Sequence, residues 1–233
     1  MKTVCILDTE TSGLDPSKDR LLEVGLVLYS LEHVAVIQAA SLLVSQPTED
    51  LDPASVDVHG IPFALLNSGL KTESVTKAVR QFASKADAFV AHHSDFDAQW
   101  LDATTRDALP WICTCNDLTW PKKGNSKSLT SVALAHGVGV VDAHRALSDC
   151  LTIARILTRV SEMGHDLATF LAPGLRPKCR VVSLAGFDDK DLVKANGFGW
   201  DPKGKVWWRK MALEDVASLP FQTRMARETE VLQ

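Results

Sequence analysis

The sequence predicts an α/β fold, a mixed β-sheet flanked by helices, with a small α+β module following it in the chain. Three observations point there. The first 44 residues hold three apolar runs rich in β-branched residues, and from residue 71 onward helical periodicity alternates with short apolar runs. Beyond residue 175 the chain becomes basic and rich in tryptophan. At 233 residues, 45% of them hydrophobic, and a mean hydropathy of +0.01, the chain is long enough to bury a sizeable core.

Val4-Cys5-Ile6-Leu7 reads as a buried strand, with Asp8 and Glu10 directly after it. Alternation puts i and i+2 on one face, so the two carboxylates converge while Thr9 and Thr11 point the other way. Paired acids repel and are costly to bury without a cation, and hard oxygen ligands favour Mg²⁺ or Mn²⁺ over zinc. Taken alone, the pair fits two solvated acids equally well. Gly13 permits a turn into the loop 15–19, after which residues 21–29 read as a central strand and 33–44 as its neighbour. Glu23, inside that central run, is either a supporting acid near Asp8 and Glu10 or a strand-edge residue.

A long loop after Pro47 ends in Asp57-Val58-His59-Gly60-Ile61. Residues 71–85 carry Val75, Ala78, Val79 and Phe82 at amphipathic-helix spacing. Ala88-Phe89-Val90-Ala91 is a short buried strand, and a helix is expected from residue 94 or 95 to about 107. An acid in its first turn would face the C-terminal end of the sheet, where sites collect in α/β folds. Trp111-Ile112-Cys113 reads as another strand, 127–137 as a helix, and a last long helix runs to about residue 160 on a stripe of Leu147, Leu151, Ala154 and Leu157. Asp149 follows His144 by five residues, which a regular helix would splay apart; a helix starting after His144 lets both reach one point.

Three segments together carry a resemblance: Asp8-Thr9-Glu10-Thr11-Ser12-Gly13-Leu14, then His92-His93-Ser94-Asp95-Phe96-Asp97, then His144-Arg145-Ala146-Leu147-Ser148-Asp149. In this order they resemble the motifs of the DnaQ-like 3′→5′ exonucleases of the DEDDh subclass, over about residues 3–162. The resemblance implies a ribonuclease H-like fold. It implies Asp8, Glu10, Asp97 and Asp149 as ligands of two divalent cations, Mg²⁺ or Mn²⁺, and His144 as general base. Asp95 competes with Asp97, and the position after Phe96 is the one that matches. His93 departs from the pattern, where relatives often carry Asn. Thr11, Gly13, Leu14, His59, His93 and Phe96 are candidate substrate contacts, Leu14 as a wedge against the terminal base. The physics agrees: an anionic phosphodiester approaches four acids only across cations, and an imidazole with a pKa of about 6.5 can take a proton from water near neutral pH.

His92 and His93 suggest zinc, but no cysteine or third histidine stands at matching spacing. The five cysteines are scattered, and Cys113-Thr114-Cys115 lacks the C-x-x-C spacing, so reduced core thiols are expected. No signal-peptide core precedes the first strand, and no apolar run approaches the roughly 20 residues of a membrane span, so the expectation is a cytoplasmic protein without a membrane role.

Expected boundaries are 1–172 for the nuclease-like domain, 173–178 for a linker and 179–233 for the small module. Charge divides the same way. Residues 1–170 carry 14 Lys/Arg against 21 Asp/Glu, and residues 176–210 carry nine against four. The module reads as a strand at 179–184, a helix at 188–195, a hairpin over 197–210 with a Pro-Lys-Gly turn, and a polar helix or tail. Lys194, Trp200, Lys203, Lys205, Trp207 and Arg209 offer a nucleic-acid surface, aromatics to stack on bases and cations for phosphates, although some of these aromatics must also form the core.

The leading reading is therefore a metal-dependent exonuclease acting from the 3′ end of DNA, on single-stranded or frayed ends, and releasing nucleoside 5′-monophosphates. An RNA-directed exonuclease of the same family is the alternative. A catalytically silent nucleic-acid-binding module is disfavoured because all four acids and the histidine are present.

Overall fold

The structure is a computed structural model that describes residues 1–48 and 51–227. The chain divides into two compact units, Met1–Leu175 and Arg176–Gln233. In the first, β1 (Thr3–Thr11), β2 (Leu21–Ser30) and β3 (Ala35–Leu43) form an antiparallel meander. The shorter β4 (Ala88–Ala91) and β5 (Trp111–Cys113) join in parallel, and the order β3-β2-β1-β4-β5 puts β1 at the centre of a mixed sheet. A parallel step from β1 to β4 needs a crossover, which carries α1 (Val56–His59), α2 (Phe63–Leu66) and α3 (Thr72–Ala83).

Helices on both faces explain why the β1 sequence begins as an unbroken apolar run. Val4 and Ile6 pack toward α6 (Leu129–Ala135), α7 (Ala146–Glu162) and α8 (Leu167–Leu171). Cys5 and Leu7 pack on the opposite side against Val75, Val79 and Phe82 of α3. The stripe of α7 is rotated from its expected line: Ile153, Ile156 and Leu157 are fully buried, while Leu147 and Leu151 sit at its margin. Each fully buried side chain of this size stabilises by about 1.5–3 kcal/mol.

Other expectations shift for identifiable reasons. The single helix expected over residues 94–107 is two, α4 (Ser94–Ala98) and α5 (Ala103–Arg106). Asp102 stands extended between them, caps α5 by accepting the Thr105 N–H and pairs with Arg80, so its side chain competes with helix continuation. Residues 172–175 form a 3₁₀ turn of the first unit rather than an open linker. Gly174 lies so close to Ile112 that a Cβ there would come within 2.5 Å.

In the second unit a four-stranded sheet has the order β7-β8-β6-β9, from β6 (Lys178–Ser183), β7 (Gly199–Asp201), β8 (Val206–Ala212) and β9 (Thr223–Met225). A short helix, α9 (Lys190–Ala195), covers one face, where Val193 and Phe198 meet Val181 and Met211. The expected polar tail instead contributes a 3₁₀ stretch, Leu213–Ser218, and β9; its last residues lie outside those described. No helix among the described residues is long and apolar enough to cross a membrane.

Candidate active site

Asp8 and Glu10 lie on the β1 face that meets α7, where their register partners on β2 are Gly25 and Glu23. A Cβ at Gly25 would sit 2.3 Å from the carbonyl carbon of Ala146, so glycine is what lets the start of α7 settle onto the sheet beside Asp8. That approach delivers Asp149, in the first turn of α7. Carboxylate oxygens of Asp8, Glu10 and Asp149 lie within 4.8 Å of one another. Asp97, on α4 just past the end of β4, is the fourth acid. It is buried, with Oδ1 accepting the Thr9 hydroxyl at 2.9 Å and Oδ2 without any partner. Thr9 thus supports the site from the strand face opposite Asp8, a role that alternation alone assigned away from the chemistry.

Glu23 resolves in favour of the supporting role. Fully buried, it accepts Nε and Nη2 of Arg145 at 3.0 and 3.1 Å, the Ser41 hydroxyl, and the backbone N–H of Ala146 at 3.2 Å. One carboxylate thereby ties the first amide of α7 to the sheet. Just before it, His144 takes a left-handed backbone (φ 65°) and Arg145 an extended one, so the helix starts only at Ala146. The expected splay between His144 and Asp149 disappears. His144 stands exposed at the rim of the acid nest.

The nest is electrostatically strained. Burial, then the charges of Asp97, Glu10 and Asp149, holds the Asp8 carboxyl well above the usual carboxylate range. Glu10 is pushed up to about 8 by burial, then by Asp149 and Glu23. Burial also raises Asp97 and Asp149, the former against its Thr9 hydrogen bond and the latter against His144. Glu23 moves the other way: burial would raise it, but Arg145, Ser41 and the Ala146 amide hold it low. Four acids that resist ionisation together, with an orphaned buried oxygen on Asp97, fit hard divalent cations as the missing counter-charge.

A cleft of about 710 Å³ opens onto these acids, and Thr11, Gly13, Leu14, His93, Phe96 and His144 line it. Leu14 is 80% exposed at its mouth. The Thr11 hydroxyl donates to the Gly13 carbonyl at 2.6 Å and so shapes the loop that carries Leu14. A Cβ at Gly13 would strike the Asp19 carboxylate, which accepts the Asp15 amide. His59 does not line the cleft. It is buried, with Nδ1 accepting the Ile61 N–H, while Ser55 and Val58 from the same segment reach the wall. Asp95 is exposed and outside the lining.

The spacing argument against a histidine–cysteine cluster meets a tertiary contact: Cys115 Sγ lies 3.3 Å from Nε2 of His93, and His92 is adjacent. Both His92 ring nitrogens are engaged, at 2.9 Å from the Thr114 hydroxyl and from the Lys127 carbonyl. Burial lowers its pKa to about 4, so it stays neutral and braces the wall.

The second unit distributes its predicted residues unequally. Trp207 packs in the core, and Arg209 donates to the Asn196 carbonyl at 2.7 Å. The Lys194 amine sits over the Trp207 ring at 5.6 Å, and half-exposed Trp200 is tilted against Trp207 at 5.4 Å. Lys203 and Lys205 are exposed in the turn that the Asp201 carboxylate closes through the amides of Lys203 and Gly204.

A mixed five-stranded sheet whose central strand ends in a four-carboxylate nest defines a nuclease-type α/β domain. Comparison names the family. A family model described as "Exonuclease" matches residues 5–157, and the chain belongs to that DnaQ-like family. A second model, described as a domain of unknown function, matches residues 182–225. The DNA polymerase III PolC-type of Thermotoga petrophila is 29% identical over 167 residues, covering 69% of this chain and 12% of that one. The chain thus corresponds to a small part of that relative. The DNA polymerase III subunit epsilon of Treponema pallidum is 23% identical over 200 residues, covering 78% and 89%. Among solved structures, Exonuclease X in complex with 5′-overhanging duplex DNA superposes with a TM-score of 0.56 at 25% identity, covering 73% of this chain and 99% of that one.

Proposed function

We propose that this protein is a 3′→5′ exonuclease that removes nucleoside 5′-monophosphates from the 3′ end of DNA, using two divalent cations, Mg²⁺ or Mn²⁺. The observation that carries this is the convergence of Asp8, Glu10, Asp97 and Asp149 from three separate elements beside His144. When bound, such ions would lower the pKa of water and neutralise charge on the phosphate oxygens. The chain's own residues supply the rest. The four carboxylates would hold the ions and His144, free of the helix, would take a proton from the attacking water. Leu14 and Phe96 at the cleft would lie against the terminal base. The DNA polymerase relatives and the DNA-bound Exonuclease X favour DNA over RNA.

The test uses 5′-labelled single-stranded DNA, duplex DNA and RNA with Mg²⁺, Mn²⁺ or EDTA. A ladder shortening from the 3′ end, abolished in Asp8→Ala and His144→Ala, supports the reading. Activity that survives EDTA or Asp8→Ala overturns it. Faster shortening of RNA than of DNA moves the substrate to the RNA-directed alternative.

A further inference from the structure

The parallel pairing of β4 with β5 brings together residues that no spacing in the sequence would. Ala91 stands opposite Cys113, so two residues further along each chain segment His93 and Cys115 arrive side by side. Cys115 Sγ lies 3.3 Å from His93 Nε2, and the His92 ring stands edge-on to that of His93 at 5.2 Å. A ring nitrogen of each histidine and the sulfur all lie within 4.8 Å of one another. Zinc bonds nitrogen at about 2.0–2.1 Å and sulfur at about 2.3 Å, which sets tetrahedral ligand atoms about 3.6 Å apart, close to the His93–Cys115 contact.

Two further details prepare these donors. The Lys127 carbonyl, 2.9 Å from His92 Nε2 and 3.8 Å from Cys115 Sγ, draws both toward one place. A carbonyl only accepts, so Nε2 donates to it and Nδ1 accepts the Thr114 hydroxyl at 2.9 Å. A hydroxyl can also accept, so the ring proton can move to Nδ1, donate to Thr114 and leave Nε2 for an ion. That is the outer hydrogen bond by which a metal-bound histidine is held. Burial lowers the pKa of both histidines and keeps them neutral, and the Lys127 charge lowers His93 further. Burial pushes Cys115 up to about 11, so an ion would displace the thiol proton to solvent and gain a thiolate. Two imidazoles and a thiolate are softer donors than the carboxylates of the acid nest.

We propose that His92, His93 and Cys115 form a second metal site, in the wall of the cleft, that takes Zn²⁺ with an oxygen completing the set. It stands apart from the nuclease reading, because its measurement needs no cleavage. The experiment titrates the reduced full chain with Co²⁺ in excess Mg²⁺, reading the thiolate-to-cobalt charge-transfer band and the visible bands of tetrahedral cobalt. One equivalent of Co²⁺ should raise both, and Zn²⁺ should abolish them. Cys115→Ser should remove the charge-transfer band and weaken Zn²⁺ binding about a hundredfold, and Thr114→Val, which touches the ion only through His92, about tenfold. Asp8→Ala should leave the bands unchanged.

His93→Asn guards against a merely unfolded variant. The position is exposed and its left-handed backbone (φ 70°) suits asparagine, so the metal-free melting temperature should hold while Zn²⁺ affinity falls at least about tenfold. No charge-transfer band in the wild type overturns the proposal, as does unchanged affinity in His93→Asn. A band that survives Cys115→Ser would assign the ion to another cysteine, and one lost in Asp8→Ala would place it among the acids; either result also overturns it.

Discussion

The two sheets of this chain place like charges in opposite settings. In the first, acids from β1, α4 and α7 are crowded where a sheet meets its helices, and their pKa values rise because burial resists the charged form. In the second, cations from β6, β8 and β9 share the sheet face turned away from α9, and Arg180 among them is exposed. Buried repulsion of the first kind is relieved only by a counter-charge held at a fixed point, which suits catalysis. Charge at the surface, as at Arg180, is screened by water and salt and needs no counter-charge held at a fixed point.

The comparison can be broken first at Asp97. Asp97→Asn keeps the shape but removes one charge, and kcat should fall on the order of 10³-fold as several kcal/mol of charge stabilisation disappears. The same variant should melt higher than wild type in EDTA once the pH exceeds about 8, where the buried Asp97 carboxyl would otherwise ionise. A lower metal-free melting temperature would contradict the strained-nest account.

The second measure is pH. Glu10 titrates near 8 in the fold against 4.5 in the open chain, so the folded protein binds more protons between those values. The stability it contributes is complete below 4.5 and is lost as pH rises through about 8. Metal-free melts should therefore weaken across that window, on the order of 5 kcal/mol in all. Added Mg²⁺ should restore most at the alkaline end, and a flat profile would count against the shift.

Third, Glu23→Gln should loosen the tie between Arg145, the Ala146 amide and the sheet. Displacing the start of α7 should lower kcat about tenfold or more with little change in KM. The stability cost should be about 2 kcal/mol, below that of a wholly buried pair because Arg145 is partly solvated. A rise in KM at constant kcat would assign Glu23 to substrate binding instead. The smallest effect is expected at Leu14→Ala: exposed as it is, its truncation should leave melting unchanged and raise KM a few-fold. Unchanged KM would remove Leu14 from the substrate contacts.

Much of the first unit was legible in the chain alone. Apolar runs and helical periodicity report burial that recurs along a covalent chain, so β1 to β5, α3 and α7 could be read with errors of a few residues. The four acids and His144 were legible for a different reason, since each sits in a short segment whose pattern is local. What stayed hidden was pairwise. Asp102 competes for the backbone only because Arg80 and Thr105 are there to meet it.

By itself, then, the sequence determined the order of elements, the acids that the fold brings together and the basic, aromatic character of the last unit. Only the tertiary structure decided that Gly25 admits α7, that Glu23 binds Arg145, that Cys115 meets His93, and that Trp207 rather than Trp208 packs on the small core. The reason is that a strand's own alternation says which residues share a face. Which face is covered depends on register and packing against segments tens of residues away.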